Sequence, residues 1–156
     1  MCMAKRTLRP KVLAIASGGG HWVQLLRLRP AFEGCEVIYA TVRDGYRADV
    51  GSAEFRLIRD GNRWNKIAVF RSAIGILWLI LTVKPDVVIS TGAAPGFFGV
   101  RFGKWFGAKV IWVDSVANAE ELSMSGQKAG RFVDLWLTQW PHLATSKGPK
   151  CFGSVL

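Results

Sequence analysis

Short apolar runs without alternation recur along this chain, and glycine- or proline-bearing turns separate them from longer stretches of helical period. Residues 12–16 (Val-Leu-Ala-Ile-Ala) form one such run, the pattern of a strand buried on both faces. Ser17-Gly18-Gly19-Gly20-His21 follows, and then a periodic segment from about His21 to Arg29, which Pro30 is expected to stop. Residues 36–42 are rich in β-branched side chains and read as a second strand, residues 43–51 as a polar loop, and residues 54–58 as a short third strand. Lys84-Pro85 opens the second half. A fourth strand is predicted over 86–90, a second glycine loop over 91–96, and a helix over 97–106. A fifth strand over 109–113 ends at Asp114-Ser115. The polar stretch 118–127 leads into a helical segment up to about Asp134. A sixth strand covers 135–138, closed by Trp140-Pro141, and residues 152–156 read as a terminal strand.

Strands alternating with helices imply an α/β fold: a Rossmann-like parallel sheet with helices on both faces and right-handed crossovers. In such sheets the working loops follow the carboxyl ends of strands. Three loops qualify here, 17–21, 91–96 and 114–121. Residues 1–10 are expected to form a basic arm carrying Lys5, Arg6 and Arg9. They show no apolar core of a signal peptide, and residues 11–156 are read as one domain.

The segment 62–83 departs from the pattern. Residues 67–83 are apolar except for Arg71, Ser72, Gly75 and Thr82, and no polar face can be drawn. A helix apolar all round is either core or membrane-associated. Seventeen residues at about 1.5 Å each reach about 26 Å, short of a hydrocarbon core of about 30 Å. A true span would also put the two halves of the sheet on opposite sides of a bilayer. A helix lying in the membrane interface, with Ile76, Leu77, Trp78 and Leu79 as contacts, is the favoured reading, and a wholly buried core helix is the other.

Composition sharpens this choice. The net charge is +10, from 21 Lys and Arg against 11 Asp and Glu, while half of the 156 residues are hydrophobic and seven are Trp. Nucleic acid, an anionic membrane and a phosphorylated substrate could each use the charge. The basic residues Arg59, Arg63, Lys66 and Arg71 surround an apolar stretch, which favours a membrane surface over nucleic acid. Three widely spaced cysteines and two histidines give no metal-ligand spacing and no disulfide framework, so neither a metal nor a cofactor is expected, and a reducing compartment fits.

The glycine turn at 17–20 leaves backbone N–H groups free at a helix N-terminus, where a phosphate is favoured. A plain tight turn without a ligand is the alternative. A dinucleotide site is weakened because Gly18-Gly19-Gly20-His21-Trp22-Val23 lacks the last glycine of that fingerprint.

Five segments in order carry a resemblance: Ser17-Gly18-Gly19-Gly20-His21; Lys84-Pro85-Asp86-Val87-Val88-Ile89-Ser90-Thr91-Gly92; Trp112-Val113-Asp114-Ser115; Glu121-Leu122-Ser123-Met124-Ser125-Gly126; and Asp134 through Gln139-Trp140-Pro141. With them the chain resembles the membrane-associated subunits of the two-chain UDP-GlcNAc transferase that elongates dolichol-linked GlcNAc. It also resembles their bacterial counterparts in capsule and exopolysaccharide synthesis, the PssD type. The resemblance implies the N-terminal, acceptor-side half of a GT-B glycosyltransferase, similar to that of MurG. It implies a separate donor-binding partner chain (a heterodimer), a UDP-sugar donor, a lipid diphosphate-linked acceptor, and peripheral attachment at the cytoplasmic face of the plasma membrane. Activity without the partner is not expected. A non-catalytic adaptor that recruits a catalytic partner to the membrane is the competing function. Members of the family often begin with a hydrophobic anchor; here residues 67–83 are expected to supply the attachment. Asp114 stands where the family more often has Glu.

Inverting sugar transfer needs a base for the acceptor hydroxyl and donors for the departing pyrophosphate. His21 is the candidate base or phosphate contact, since imidazole titrates near neutral pH; helix capping is its alternative. Asp114 and Glu121 could orient or deprotonate the sugar, or simply cap the next helix. Ser17, Gly18, Gly19 and Gly20 are candidate phosphate ligands. Thr91, Gly92, Ala93 and Gly96 form a second small-residue opening for the acceptor diphosphate, with close helix–strand packing as the alternative. Gln139, Trp140, Pro141 and His142 are assigned to the fold or an interface. Phe97, Phe98, Phe102, Trp105 and Phe106 are divided between core and an outward face.

Overall fold

The computed structural model of the chain describes residues 9–61 and 65–155. Most of the expected basic arm (with Cys2, Lys5 and Arg6), Asn62, Arg63 and Leu156 lie outside the described residues. The elements are β1 (Lys11–Ile15), α1 (Gly20–Arg27), β2 (Glu36–Thr41), β3 (Glu54–Leu57), α2 (Lys66–Val83), β4 (Val87–Ser90), α3 (Ala93–Trp105), β5 (Lys109–Val113), α4 (Met124–Ala129) and β6 (Leu135–Leu137). The six strands form one parallel sheet in the order β3-β2-β1-β4-β5-β6, with Leu13 opposite Ile38 on one side and Val88 on the other. This is the Rossmann-like fold that the strand–helix alternation implies.

Side chains alternate across the strands and build two cores. Leu13, Ile15, Ile38, Val88, Val110 and Trp112 face α2 and α3, where Ile76, Ile80, Val83 and Val100 meet them. Val12, Ala14, Tyr39, Ile89 and Val113 face the other way, onto Trp22 and Leu25 of α1 and onto Phe32. Four expectations change at the element level. Pro30 is the second residue of a 3-10 turn (Arg29–Phe32) that follows the end of α1, as suits a residue that lacks an N–H. Residues 43–51 hold a 3-10 helix (Asp44–Val50) rather than an open loop. Helix α3 starts at Ala93, so it absorbs residues 93–96 of the expected glycine loop. Residues 152–155 form no strand; Lys150 instead makes a single parallel bridge to Leu137.

The largest correction concerns α2. Asn65 caps its start, accepting at Oδ1 from the Ile67 and Ala68 N–H groups (both 3.1 Å), and Lys84, in the left-handed region at φ 50, ends it. The helix is long and apolar enough to cross a membrane, yet it is the crossover between β3 and β4, two strands of one sheet. Ile76 is fully buried (0%) and Leu79 nearly so; both are core residues, and their assignment as membrane contacts is overturned. Leu77 is half-buried, and only Trp78, 66% exposed, stands out. It shares an open face with Ile67, Phe70, Ile74 and Leu81, spaced by three and four residues. The two faces are equally apolar, so the helical period that separates core from surface is invisible in the sequence.

Candidate functional site

The strand order reverses between β1 and β4, the place where open parallel sheets form a crevice at their carboxyl ends. The loops after these two strands meet there. His21 Nδ1 lies 2.8 Å from the Thr91 carbonyl oxygen, and the Thr91 hydroxyl donates to the His21 carbonyl (2.6 Å). A carbonyl only accepts, so Nδ1 carries a hydrogen, and in the neutral ring the lone pair lies on Nε2. That is the tautomer a general base at Nε2 requires.

Gly92 makes this contact possible. Its φ is 140, and a Cβ there would lie within 2.5 Å of His21 Nδ1. Ala93, next in the chain, is held at φ 64, a strained value for a residue with a side chain. Gly19 and Gly92, the N-caps of α1 and α3, supply no side-chain cap, so both helices present uncapped N-termini near the same crevice. Gly96 does not belong to the opening. It is buried in α3 against Ser90, where any Cβ would collide with the hydroxyl, and it does not line the cleft, so it serves close helix–strand packing and its assignment to substrate is overturned.

A cleft of about 600 Å³ opens here, lined by His21, Asp60, Ala93, Asn118, Ser123 and Ser125 among others. Ser17, Gly18, Gly19 and Gly20 stand beside the cleft rather than in its lining. The Gly19 N–H already donates to the Tyr46 hydroxyl (3.0 Å), and Gly18 lies against the Arg43 side chain, 3.1 Å from Nε to an ideal Cβ. Tyr46 stacks on Trp22 at 5.3 Å, and Trp22 Nε1 donates to Asp49 (2.9 Å), so the turn is braced from outside.

Asp114 is buried (1% exposed), and its carboxylate is fully engaged within its own loop. Oδ1 accepts from the Ser115 N–H (3.1 Å) and from Asn118 Nδ2 (3.0 Å), and Oδ2 from the Ser123 N–H (2.9 Å). It therefore stands behind the wall that presents Asn118 and Ser123. Glu121 is exposed and is not among the lining residues. Ser123 Oγ caps α4 by accepting from Gly126 N–H (2.9 Å), the capping role the sequence left open for the carboxylates. Trp140 Nε1 donates to the Val116 carbonyl (2.8 Å), and His142 Nε2–H to that of Ala119 (2.6 Å), so both hold the same loop. Sequence reasoning missed Asp60 and, within the working loop 114–121, did not single out Asn118. Neither sits in a motif, and only the assembled sheet brings them beside His21. Among the described residues no group of three or more His, Cys, Asp or Glu side chains is arranged to hold a metal ion.

A model of the family described as "Oligosaccharide biosynthesis protein Alg14 like" matches residues 53–156, well over half of the chain. The chain belongs to this family. Relatives of the Alg14-like chain bear the description UDP-N-acetylglucosamine transferase subunit: one from Eremothecium gossypii, 28% identical over 93% of this chain and 80% of its own length, and one from Homo sapiens, 26% identical over 89% and 79%. Among solved structures it is similar to MurG of Acinetobacter baumannii, with a TM-score of 0.74 at 15% identity over 94% of this chain and 46% of that one. It is also similar to the S. aureus MnaA–UDP structure, with a TM-score of 0.66 at 16% identity over 94% and 44%. The Alg14-like chain thus has the Rossmann-like fold of one half of a GT-B glycosyltransferase such as MurG, and spans less than half the length of these solved proteins.

Proposed function

We propose that this chain is the acceptor-binding subunit of a heteromeric UDP-sugar transferase, with UDP-GlcNAc as donor and a lipid diphosphate-linked saccharide as acceptor. The observation that carries this reading is the His21–Thr91 pair at the switch point, which leaves Nε2 as a lone-pair base beside two uncapped helix N-termini. The names of the curated relatives support the donor and the subunit role.

In the proposed reaction the acceptor hydroxyl oxygen attacks C1 of the donor sugar, its proton passes to His21 Nε2, and the bond from C1 to the UDP oxygen breaks with inversion. The N-termini of α1 and α3 favour the acceptor diphosphate. Asp114 holds Asn118 and Ser123 in place and does not itself take the proton. Donor binding is assigned to a partner chain.

The same reading places the chain at the cytoplasmic face of a membrane, attached peripherally through the open face of α2. A groove of about 560 Å³ runs along that face. Arg56, Arg59 and Arg71 flank Ile74 and Trp78 in it, an apolar floor with a cationic rim suited to anionic headgroups.

Replacement of His21 by Ala in the reconstituted two-chain complex tests the catalytic role. Turnover is expected to fall by about 10²–10⁴-fold, the usual worth of a general base, with complex formation unchanged. A complex of intact composition that turns over at the wild-type rate would assign this chain to the adaptor role instead.

A further inference from the structure

Two buried amide side chains have no part in the chemistry just described. Gln24 (5% exposed) lies on α1 three residues after His21, and Gln139 (6% exposed) follows β6. They are bonded to each other: Gln139 Nε2 donates to Gln24 Oε1 (2.6 Å) and to the Asp114 carbonyl (3.0 Å). Gln24 Oε1 also accepts from the Val116 N–H (3.0 Å), while its Nε2 donates to Ser115 Oγ (3.0 Å). On the far side Gln139 Oε1 accepts from the Val155 N–H (2.9 Å). The ionisable groups joined to this network are Asp114 and, through the Val155 carbonyl, Arg27 (3.0 Å).

The consequence is geometric. Helix α1 is bonded to both walls of the cleft, to the start of α3 through His21 and Thr91, and to the loop after β5 through Gln24. Two leucines would fill the same space and bury more apolar surface. What two amides add is direction, because each bond fixes an angle as well as a distance, and an unmade one is costly at this depth. A polar pair here serves alignment more than cohesion.

We propose that Gln24 and Gln139 are positioning residues. They set the separation between His21 Nε2 and the wall carrying Asn118 and Ser123, so that the acceptor hydroxyl is held within reach of the base. This inference rests on the assignment of His21 as that base. Neither amide touches substrate; both act through α1 and the loop from 114 to 123.

The test uses paired carboxylate variants in the reconstituted two-chain complex, with rates normalised to heterodimer content. Gln24→Glu keeps the acceptor that Val116 and Gln139 need, and Ser115 can turn its hydroxyl to donate. Its kcat/KM for the acceptor is expected to fall less than that of Gln139→Glu, because turning one hydroxyl keeps every bond of the network. Gln139→Glu loses both donated bonds and sets oxygen against oxygen. Its kcat/KM for the acceptor is expected to fall by about 10–100-fold, the scale of a misplaced reacting group, while KM for the UDP-sugar stays within about twofold. Because a protonated carboxyl regains one donor, the ratio of the Gln139→Glu rate to the wild-type rate should rise as pH falls. A purely structural role would lower the amount of active complex but leave acceptor and donor parameters scaled alike and that ratio flat with pH. If Gln24→Glu proves unstable, Gln139→Glu alone still decides through the pH trend and the acceptor–donor split. Wild-type-like acceptor kinetics in folded Gln139→Glu would overturn the inference. A wild-type complex that moves no sugar would instead overturn the function on which it rests, and is read before any variant.

Discussion

Gly92 and His21 are the residues in which backbone and chemistry meet most closely. The imidazole rests against the Gly92 backbone, so the glycine is needed twice, once for its φ of 140 and once for the missing Cβ. Gly92→Ala is expected to displace the ring and to lower turnover of the assembled complex as far as His21→Ala does. Gly107, at φ 86 after α3, has no atom within 4 Å of an added Cβ. Gly107→Ala should therefore show only the strain of a left-handed alanine, about 1–2 kcal/mol, with turnover per folded molecule unchanged. Melting curves and initial rates on the two variants separate the roles; equal effects on turnover would contradict them. The three glycines before His21 mark a turn at a strand end, and that much is legible in the sequence. The bond to Thr91 is not, because it requires β4 to lie beside β1 rather than β3, and no local pattern encodes strand order. Asp114 shows the same limit. A carboxylate at a strand end looks available for chemistry until three donors of its own loop are seen to occupy it.

Helix α2 divides its apolar residues between two uses. Ile76 and its buried neighbours hold the helix to β1 and β4 through the core, whereas Phe70, Ile74 and Trp78 are open. Ile76→Ala is expected to cost about 2–5 kcal/mol, the range for deleting a large buried aliphatic, seen as a lower denaturation midpoint. The combined substitution of Phe70, Ile74 and Trp78 by Ser should leave that midpoint nearly unchanged and reduce co-sedimentation with anionic lipid vesicles. Added salt should release the wild-type chain only in part, since screening weakens the contribution of Arg56, Arg59 and Arg71 but not apolar burial. Vesicle binding that survives the triple substitution would contradict the assignment of this face. The strand over 12–16 is easier to read than this helix. Residues 12–16 read as a buried strand and form one over Lys11–Ile15, but Ile76 and Trp78 carry the same message to a hydropathy pattern while facing opposite ways.

At the scale of the whole molecule, the sheet is tied together away from the cleft as well. Asp134, just before β6, accepts from Lys104 Nζ (2.6 Å) at the end of α3 and from the Val110 N–H (2.8 Å) in β5. The Lys104 bond, with the Val110 N–H and the charges of Lys104 and Lys109 adding to it, holds its carboxyl below the usual carboxylate range against the opposing effect of burial. A depressed folded-state value stabilises the fold above the unfolded carboxylate value of about 3.9, and that contribution is lost as pH falls through the folded value. Acid unfolding monitored by circular dichroism should therefore lose part of its slope below about pH 4 in Asp134→Asn; an unchanged slope would show the pair to be screened out.

The proposed division of labour gives this chain the acceptor side of a reaction whose donor side lies on another chain. Its most direct measurement is transfer of radiolabelled sugar from UDP-GlcNAc to a lipid diphosphate-linked saccharide, with this chain alone, a donor-binding partner alone, and both together. The expected result is transfer only when both are present, lost again when His21→Ala replaces the wild-type chain. Full transfer by this chain alone, or by the partner without it, would contradict this division of labour.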